Sequence, residues 1–217
     1  MFSKTPLRVT GFCLLSGLSP LLWAAPAAFS THGLSGWQAQ DFKGRVATHY
    51  QLTRDDDAGA QVLHARCTRS ASGYVWKEHI DLRQTPRLHW RWRIEQVYAG
   101  LHERDKRGDD FPARIYVVRD GGWMPWRTLS LVYVWGNGEA AERDWPDAYT
   151  RQAHIIVVRS GNQDSGHWQD EQRDVWADFQ RYFGAEVEAI DAVALMSDCD
   201  DSERDGAADY GDLFFGP

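Results

Sequence analysis

The sequence predicts a mainly-β chain, an antiparallel β-sandwich with one packing helix, and three observations carry that expectation. Arg87 to Ile94 is two-sided: Leu88, Trp90, Trp92 and Ile94 alternate with Arg87, His89, Arg91 and Arg93. Successive strand side chains point to opposite faces, so one face packs and the other is cationic. Two Trp two residues apart need a broad apolar layer to lie against, which calls for a second sheet beneath them. About nine strand-like stretches follow one another between turn signals, without the strand-helix alternation of a parallel α/β fold. Only one segment, Asp170 to Phe183, has convincing helical periodicity.

The chain opens with Lys4 and Arg8, an apolar run from Val9 to Ala25, and small residues through Ala28. That is the layout of a secretory signal peptide over residues 1–27, followed by a single β-sandwich domain over 28–217. The run is broken by Gly17, Ser19 and Pro20 and is short for a bilayer span of about 20 residues, so no stable transmembrane span is expected after cleavage. The expected location is periplasmic or secreted. The sequence has 24 Lys+Arg against 31 Asp+Glu, and loss of Lys4 and Arg8 leaves 22 against 31. Nucleic acid is excluded as a general partner, because such proteins carry a basic footprint. Cys67 and Cys199 remain after the leader. In an oxidising compartment two thiols pair, and they are the candidate disulfide, with two buried free thiols as the alternative.

Taken in order, Trp37 and Phe42 anchor an opening segment, and Val46, Thr48, Tyr50 and Leu52 then alternate as a strand. Asp55-Asp56-Asp57 with Ala58-Gly59 reads as an acidic solvated turn. Gln61 to Cys67 is the next strand, Ser70 to Gly73 its turn, and Tyr74 to Leu82 another strand that stops before Pro86. Beyond the Arg87–Ile94 strand, a hydrophilic loop from Gly100 to Asp110 opens onto a strand over Ala113–Arg119. Gly121-Gly122 turns the chain into Thr128 to Trp135, and Ile155 to Val158 is a β-branched run suited to a strand covered on both faces. In the helix, Val175, Phe179 and Tyr182 recur at helical spacing and Gly184 supplies the stop. Ala189 to Ser197 returns to strand, Asp198 to Asp209 is an acidic loop, and Tyr210 to Phe215 is a last short strand.

Two acidic clusters stand at strand ends: Asp109-Asp110, and Asp198, Asp200 and Asp201. Carboxylates there suit calcium or the hydroxyls of a sugar, and Asp198 and Asp200 are the candidate metal ligands. The second cluster is not an EF-hand, because Glu203 stands where that loop needs Gly. The alternative is that these Asp cap turns or pair with Arg114 or the arginines of the 87–94 strand. No glycine-rich phosphate loop, zinc-ligand spacing or nucleophile-elbow serine is present. One enzyme scheme is coherent: a lyase on acidic polysaccharide, with Arg91 or Arg93 neutralising the substrate carboxylate and His89 or Tyr116 as base. Ten Trp follow the leader; Trp90 and Trp92 are expected in the core, whereas Trp123, Trp126 and Trp145, beside Gly and Pro, are expected at the surface.

Four ordered blocks, Leu88 to Ile94, Gly108 to Val118, Leu131 to Trp135 and Ala194 to Ser202, resemble the bacterial family known as domain of unknown function 3047, over most of the chain from about residue 40. Asp109, Asp110, Arg114, Asp198, Asp200 and Tyr210 match that family's pattern. Ser197 and Cys199 stand where the family usually has Thr, and Asp201 where it has Asn, which makes a pairing with Cys67 peculiar to this sequence. The pattern is also similar, more loosely, to jelly-roll modules that bind sugars, which implies a jelly-roll-like sandwich. The expectation is therefore an exported, non-catalytic binder of a glycan or other polyhydroxylated envelope component, with those six residues lining one end and calcium the one cofactor they would suit. The lyase-like enzyme is the first alternative, and a structural partner of an envelope protein complex the second.

Overall fold

A computed structural model describes residues 27–138 and 140–217. The expected leader lies, except for Ala27, outside the described residues. The elements run α1 (Phe29–His32), β1 (Trp37–Asp41), β2 (His49–Asp55), β3 (Ala60–Thr68), β4 (Ala71–Asp81), β5 (Arg87–Ile94), β6 (Arg114–Arg119), β7 (Leu129–Gly136), β8 (Asp144–Pro146), β9 (Ala153–Ser160), β10 (Gln169–Asp174), α2 (Val175–Phe183), β11 (Ala189–Asp198) and β12 (Asp205–Gly216). They form two sheets, one of seven strands ordered β1-β4-β11-β6-β7-β9-β8 and one of five ordered β10-β5-β12-β3-β2. The chain is a mainly-β, jelly-roll-like sandwich. Its ladders are antiparallel except for β7 and β9, which pair in parallel.

The alternation in β5 does what its pattern demands. Leu88, Trp90, Trp92 and Ile94 are buried, and the residues between them are half-buried. Trp90 stacks on Tyr133 of β7 with ring centroids 5.5 Å apart, and Trp92 packs on Trp135 at 5.9 Å, so the facing sheet supplies the apolar layer. The indole N–H groups do not all go unmet: Trp92 Nε1 donates to Glu171 at 3.1 Å and Trp135 Nε1 to the Gly161 carbonyl at 3.0 Å.

Three expectations about extent and one about exposure change. Asp170 to Asp174 belongs to β10, an edge strand paired with β5, and the helix starts only at Val175. Asp174 is its N-cap, accepting from the Ala177 amide at 2.9 Å, and Gly184 ends it in the left-handed region. The helix wedges the sandwich edge, with Val175 and Phe179 in the core and Tyr182 stacked on His154 of β9. Ala71 to Gly73, read as a turn, opens β4; Asp205 to Asp209, read as loop, opens β12. Trp145 is buried rather than exposed, because its segment pairs as β8 on the sheet edge beside β9, opposite Ile155, and its ring clusters with Phe111, Val132 and Ile155 on the outer face.

The Trp145 and Phe111 cluster divides the outer face of the seven-stranded sheet. Half of it is covered by Trp145 and its neighbours; the half made by β4, β11 and β6 is open. At one end of this open half, Cys67 of β3 and Cys199, just past β11, form a disulfide with Cα atoms 6.1 Å apart, tying the two sheets together.

Candidate functional site: a groove ending in an acidic cluster

The open half-face is a groove of about 510 Å³ running along the strands. Its outward-pointing residues sit in register: Gly73 opposite Met196, Val75 opposite Ala194 and Lys77 opposite Ala192, with Ala194 in turn opposite Tyr116 and Ala192 opposite Val118. The floor is therefore mostly small and apolar, with Phe42, Tyr116 and Met196 as larger walls. Gly73 is required by its backbone neighbour, since a Cβ there would lie 2.3 Å from the Leu195 carbonyl oxygen. Gln40, Lys77, Asp120 and Asp191 form a polar rim. Trp123 and Trp126, 84% and 66% exposed, stand on the β6–β7 connection, whose stems Asp120 and Thr128 line the same groove.

Phe42, Tyr116 and Met196 line both this groove and a second recess of about 300 Å³, so the two are continuous. The second recess is built on Arg114. As the first residue of β6, Arg114 points to the outer face, where the 198–201 turn and the loop before β6 cover it to 2% exposure. Its Nε donates to Asp198 Oδ1 at 2.8 Å, its Nη2 to Asp198 Oδ2 and the Asp109 carbonyl, and its Nη1 to Asp109 Oδ1 at 3.3 Å. The guanidinium lies over the Phe111 ring at 4.6 Å. Burial, opposed by Arg114 and reinforced by Asp110, pushes the Asp198 carboxyl up to about 8; burial likewise pushes Asp109 up to about 6. On the solvent side, Arg45 pairs with Asp200 at 2.6 Å and Asp201 at 2.9 Å, and the Tyr149 hydroxyl donates to Asp201 at 2.7 Å.

Of the six residues expected at one end of the sandwich, Asp109, Asp110, Arg114, Asp198 and Asp200 come together. Asp109, Arg114, Asp198 and Asp200 line the recess, while Asp110 is fully buried behind it. Tyr210 is elsewhere in function: fully buried between the sheets, its hydroxyl donates to the Met196 carbonyl at 2.7 Å and accepts from the Arg114 amide at 3.3 Å, so it supports the site's backbone from below. The residues of the lyase scheme are not brought together. His89, Arg91 and Arg93 are on the outside of the five-stranded sheet, and Tyr116 is on the outside of the other. Arg93 is held by Asp209 and Asp55 at 2.7 and 2.6 Å, Arg91 and Arg93 both lie 5.0 Å from the Trp168 ring, and His89 stacks on Phe214. Burial and Arg87 lower the His89 pKa. This is a cross-strand network of the kind that stabilises a sheet.

Several contributors escape sequence reasoning. Asn137 accepts from the Tyr98 amide at 2.8 Å and donates to the Asp110 carbonyl at 2.7 Å, while buried Glu103 accepts from the Asn137 amide. In the sequence, Gly136-Asn137-Gly138 next to a strand end signals a turn and no more. The groove floor is made of Gly and Ala, which carry no chemical signature at all.

No curated protein matches the chain in sequence. Among solved structures, a thermostable variant of the Cel12A cellulase of Rhodothermus marinus is similar, with TM-score 0.50 and 8% identity over 89% of this chain and 98% of that one. The family 11 carbohydrate-binding module of a Clostridium thermocellum cellulosomal cellulase follows at TM-score 0.47 and 10% identity, over 92% and 97%. The K1 cleaved adhesin domain of Lys-gingipain from Porphyromonas gingivalis follows at TM-score 0.45 and 10% identity, over 88% and 96%. At such identities a likeness concerns the fold alone. The family model described as protein of unknown function (DUF3047) matches residues 35–214, and the chain belongs to that family.

Proposed function

We propose that the protein is an exported, non-catalytic binder of a neutral glycan, held along the groove on β4, β11 and β6. The observation that carries this reading is the groove itself: a flat floor of Gly73, Ala192 and Ala194, walled by Tyr116 and rimmed by Gln40, Lys77, Asp120 and Asp191. Sugar rings present apolar C–H faces and hydroxyl edges, and such a floor and rim meet both. Carboxylates outnumber cations along the rim and in the adjoining recess, which favours a neutral chain over an acidic one. The cellulase that shares the fold supports the reading at the level of the frame only. The Cys67–Cys199 bridge supports a periplasmic or secreted location.

The test is binding of the purified protein to arrayed neutral and acidic polysaccharides, repeated with Ala194→Trp, which fills the groove centre from a strand whose inner face is untouched. Binding of neutral chains that Ala194→Trp removes is the expected result. Retention of binding in that variant would reject the groove. A protein partner at the exposed Trp123 and Trp126 is the second reading, and it predicts capture of an envelope protein that Trp123→Ala with Trp126→Ala abolishes while Ala194→Trp does not.

A further inference from the structure

We propose that Asp110, Asp198 and Asp200 bind a calcium ion behind the end of the groove. One carboxylate oxygen from each lies within 4.8 Å of the others. Calcium takes oxygen ligands at about 2.3–2.6 Å, so oxygens on opposite sides of one ion are about 5 Å apart, and the three can share an ion as they stand. Proximity of acids alone does not make a site, but Asp110 adds an independent fact. It is fully buried, its Oδ2 accepts from the Ser202 amide at 2.6 Å, and its Oδ1 has no partner. A buried carboxylate oxygen without a hydrogen bond is costly, and a cation is the partner that such an oxygen suits.

The surroundings agree. The hydroxyl of Ser202, the residue whose amide donates to Asp110, is also buried without a partner, as is that of Tyr98. Five carboxylates, Asp109, Asp110, Asp198, Asp200 and Asp201, face two guanidinium groups, Arg114 and Arg45. Arg114 reaches Asp198 and Asp109 but makes no bond to Asp110 among the described residues. Asp200 is half-buried and lines the recess, which gives the ion a way in from solvent and waters to complete its shell. Hard oxygen ligands on a turn favour calcium over magnesium, which holds its waters and demands tighter octahedral geometry.

The site is separate from the glycan reading, and its test uses no glycan. The full protein, stripped with a chelator, is titrated calorimetrically with calcium chloride and with magnesium chloride, and its thermal midpoint is followed in parallel. One calcium per chain, a midpoint that climbs with calcium concentration, and magnesium weaker by about tenfold or more are expected. Asp110→Asn and Asp200→Asn should each weaken calcium by about tenfold or more, with Asp57→Asn in the exposed acidic turn unchanged. Should Asp110→Asn fail to fold, the half-exposed Asp200→Asn carries the comparison. Absence of heat and of any midpoint shift at millimolar calcium, or wild-type affinity in Asp200→Asn, would overturn the proposal.

Discussion

Removing the Cys67–Cys199 bridge is the perturbation whose size follows most directly from the fold. The two residues are 132 positions apart, so the bridge closes a loop containing most of the sandwich. In the chain-entropy treatment a loop of that length raises the unfolded state by about 5 kcal/mol, at the upper end of the roughly 2–5 kcal/mol measured when native bridges are removed. For a domain of this size each kcal/mol shifts the thermal midpoint by about 2–4 °C, so a loss of about 5 kcal/mol corresponds to about 10–20 °C. Cys67→Ala with Cys199→Ala is preferable to serine, because both sites are fully buried and a hydroxyl there would need a partner. Urea unfolding of the double variant beside the oxidised and reduced parent gives the number. The local consequence is as informative: Cys199 follows Asp198 and precedes Asp200, so loss of the bridge should also weaken calcium binding. A stability loss below about 1 kcal/mol would mean that the unfolded chain gains no freedom from the opened loop and that the bridge does not act through it.

Arg114→Leu strands Asp198 and Asp109 without their buried counter-charge and is expected to cost about 3–5 kcal/mol in urea unfolding; a loss below about 1 kcal/mol would show that the pair is not buried as described. Gly73→Ala places a methyl 2.3 Å from the Leu195 carbonyl oxygen and should cost about 1–3 kcal/mol by the same assay, whereas a neutral outcome would mean that β4 and β11 are not in this register. The hydrogen bond to Asp209 raises the His64 pKa above its ordinary value of 6.5, so the folded state binds that proton more tightly than the unfolded one. That contribution is complete below about pH 6.5 and is lost as pH rises through the raised folded value; His64→Gln should flatten the stability difference between pH 6 and pH 8.5.

How much of this was legible in the sequence depended on whether a residue's signal was local. The β5 alternation and the need for a facing sheet were, because period-two burial and two Trp leave little choice, and Tyr133 and Trp135 meet them as required. The helix core at Val175 and Phe179 was as well, but its start was not. Gln169 to Asp174 is an edge strand of polar residues, defined by its ladder to β5 and not by any alternation of its own. Trp145 beside Pro looks like a surface residue because nothing nearby says that its segment pairs with β9 and meets Phe111. The acidic cluster was half legible. Asp109, Asp110, Asp198 and Asp200 announced themselves as charge at strand ends, but only the fold places Arg114 between Asp109 and Asp198 and leaves Asp110 Oδ1 without a partner. The groove was illegible, since its floor is defined by what Gly73, Ala192 and Ala194 lack.

Ligand lying along β4, β11 and β6 is tested most directly by hydrogen–deuterium exchange with and without the glycan selected on the array. Protection is expected in Ala71–Asp81, Ala189–Asp198 and Arg114–Arg119, with Arg87–Ile94 and Ala60–Thr68 unchanged. Protection confined to Arg87–Ile94 and its neighbours would instead move the site to the His89, Arg91 and Arg93 face of the other sheet.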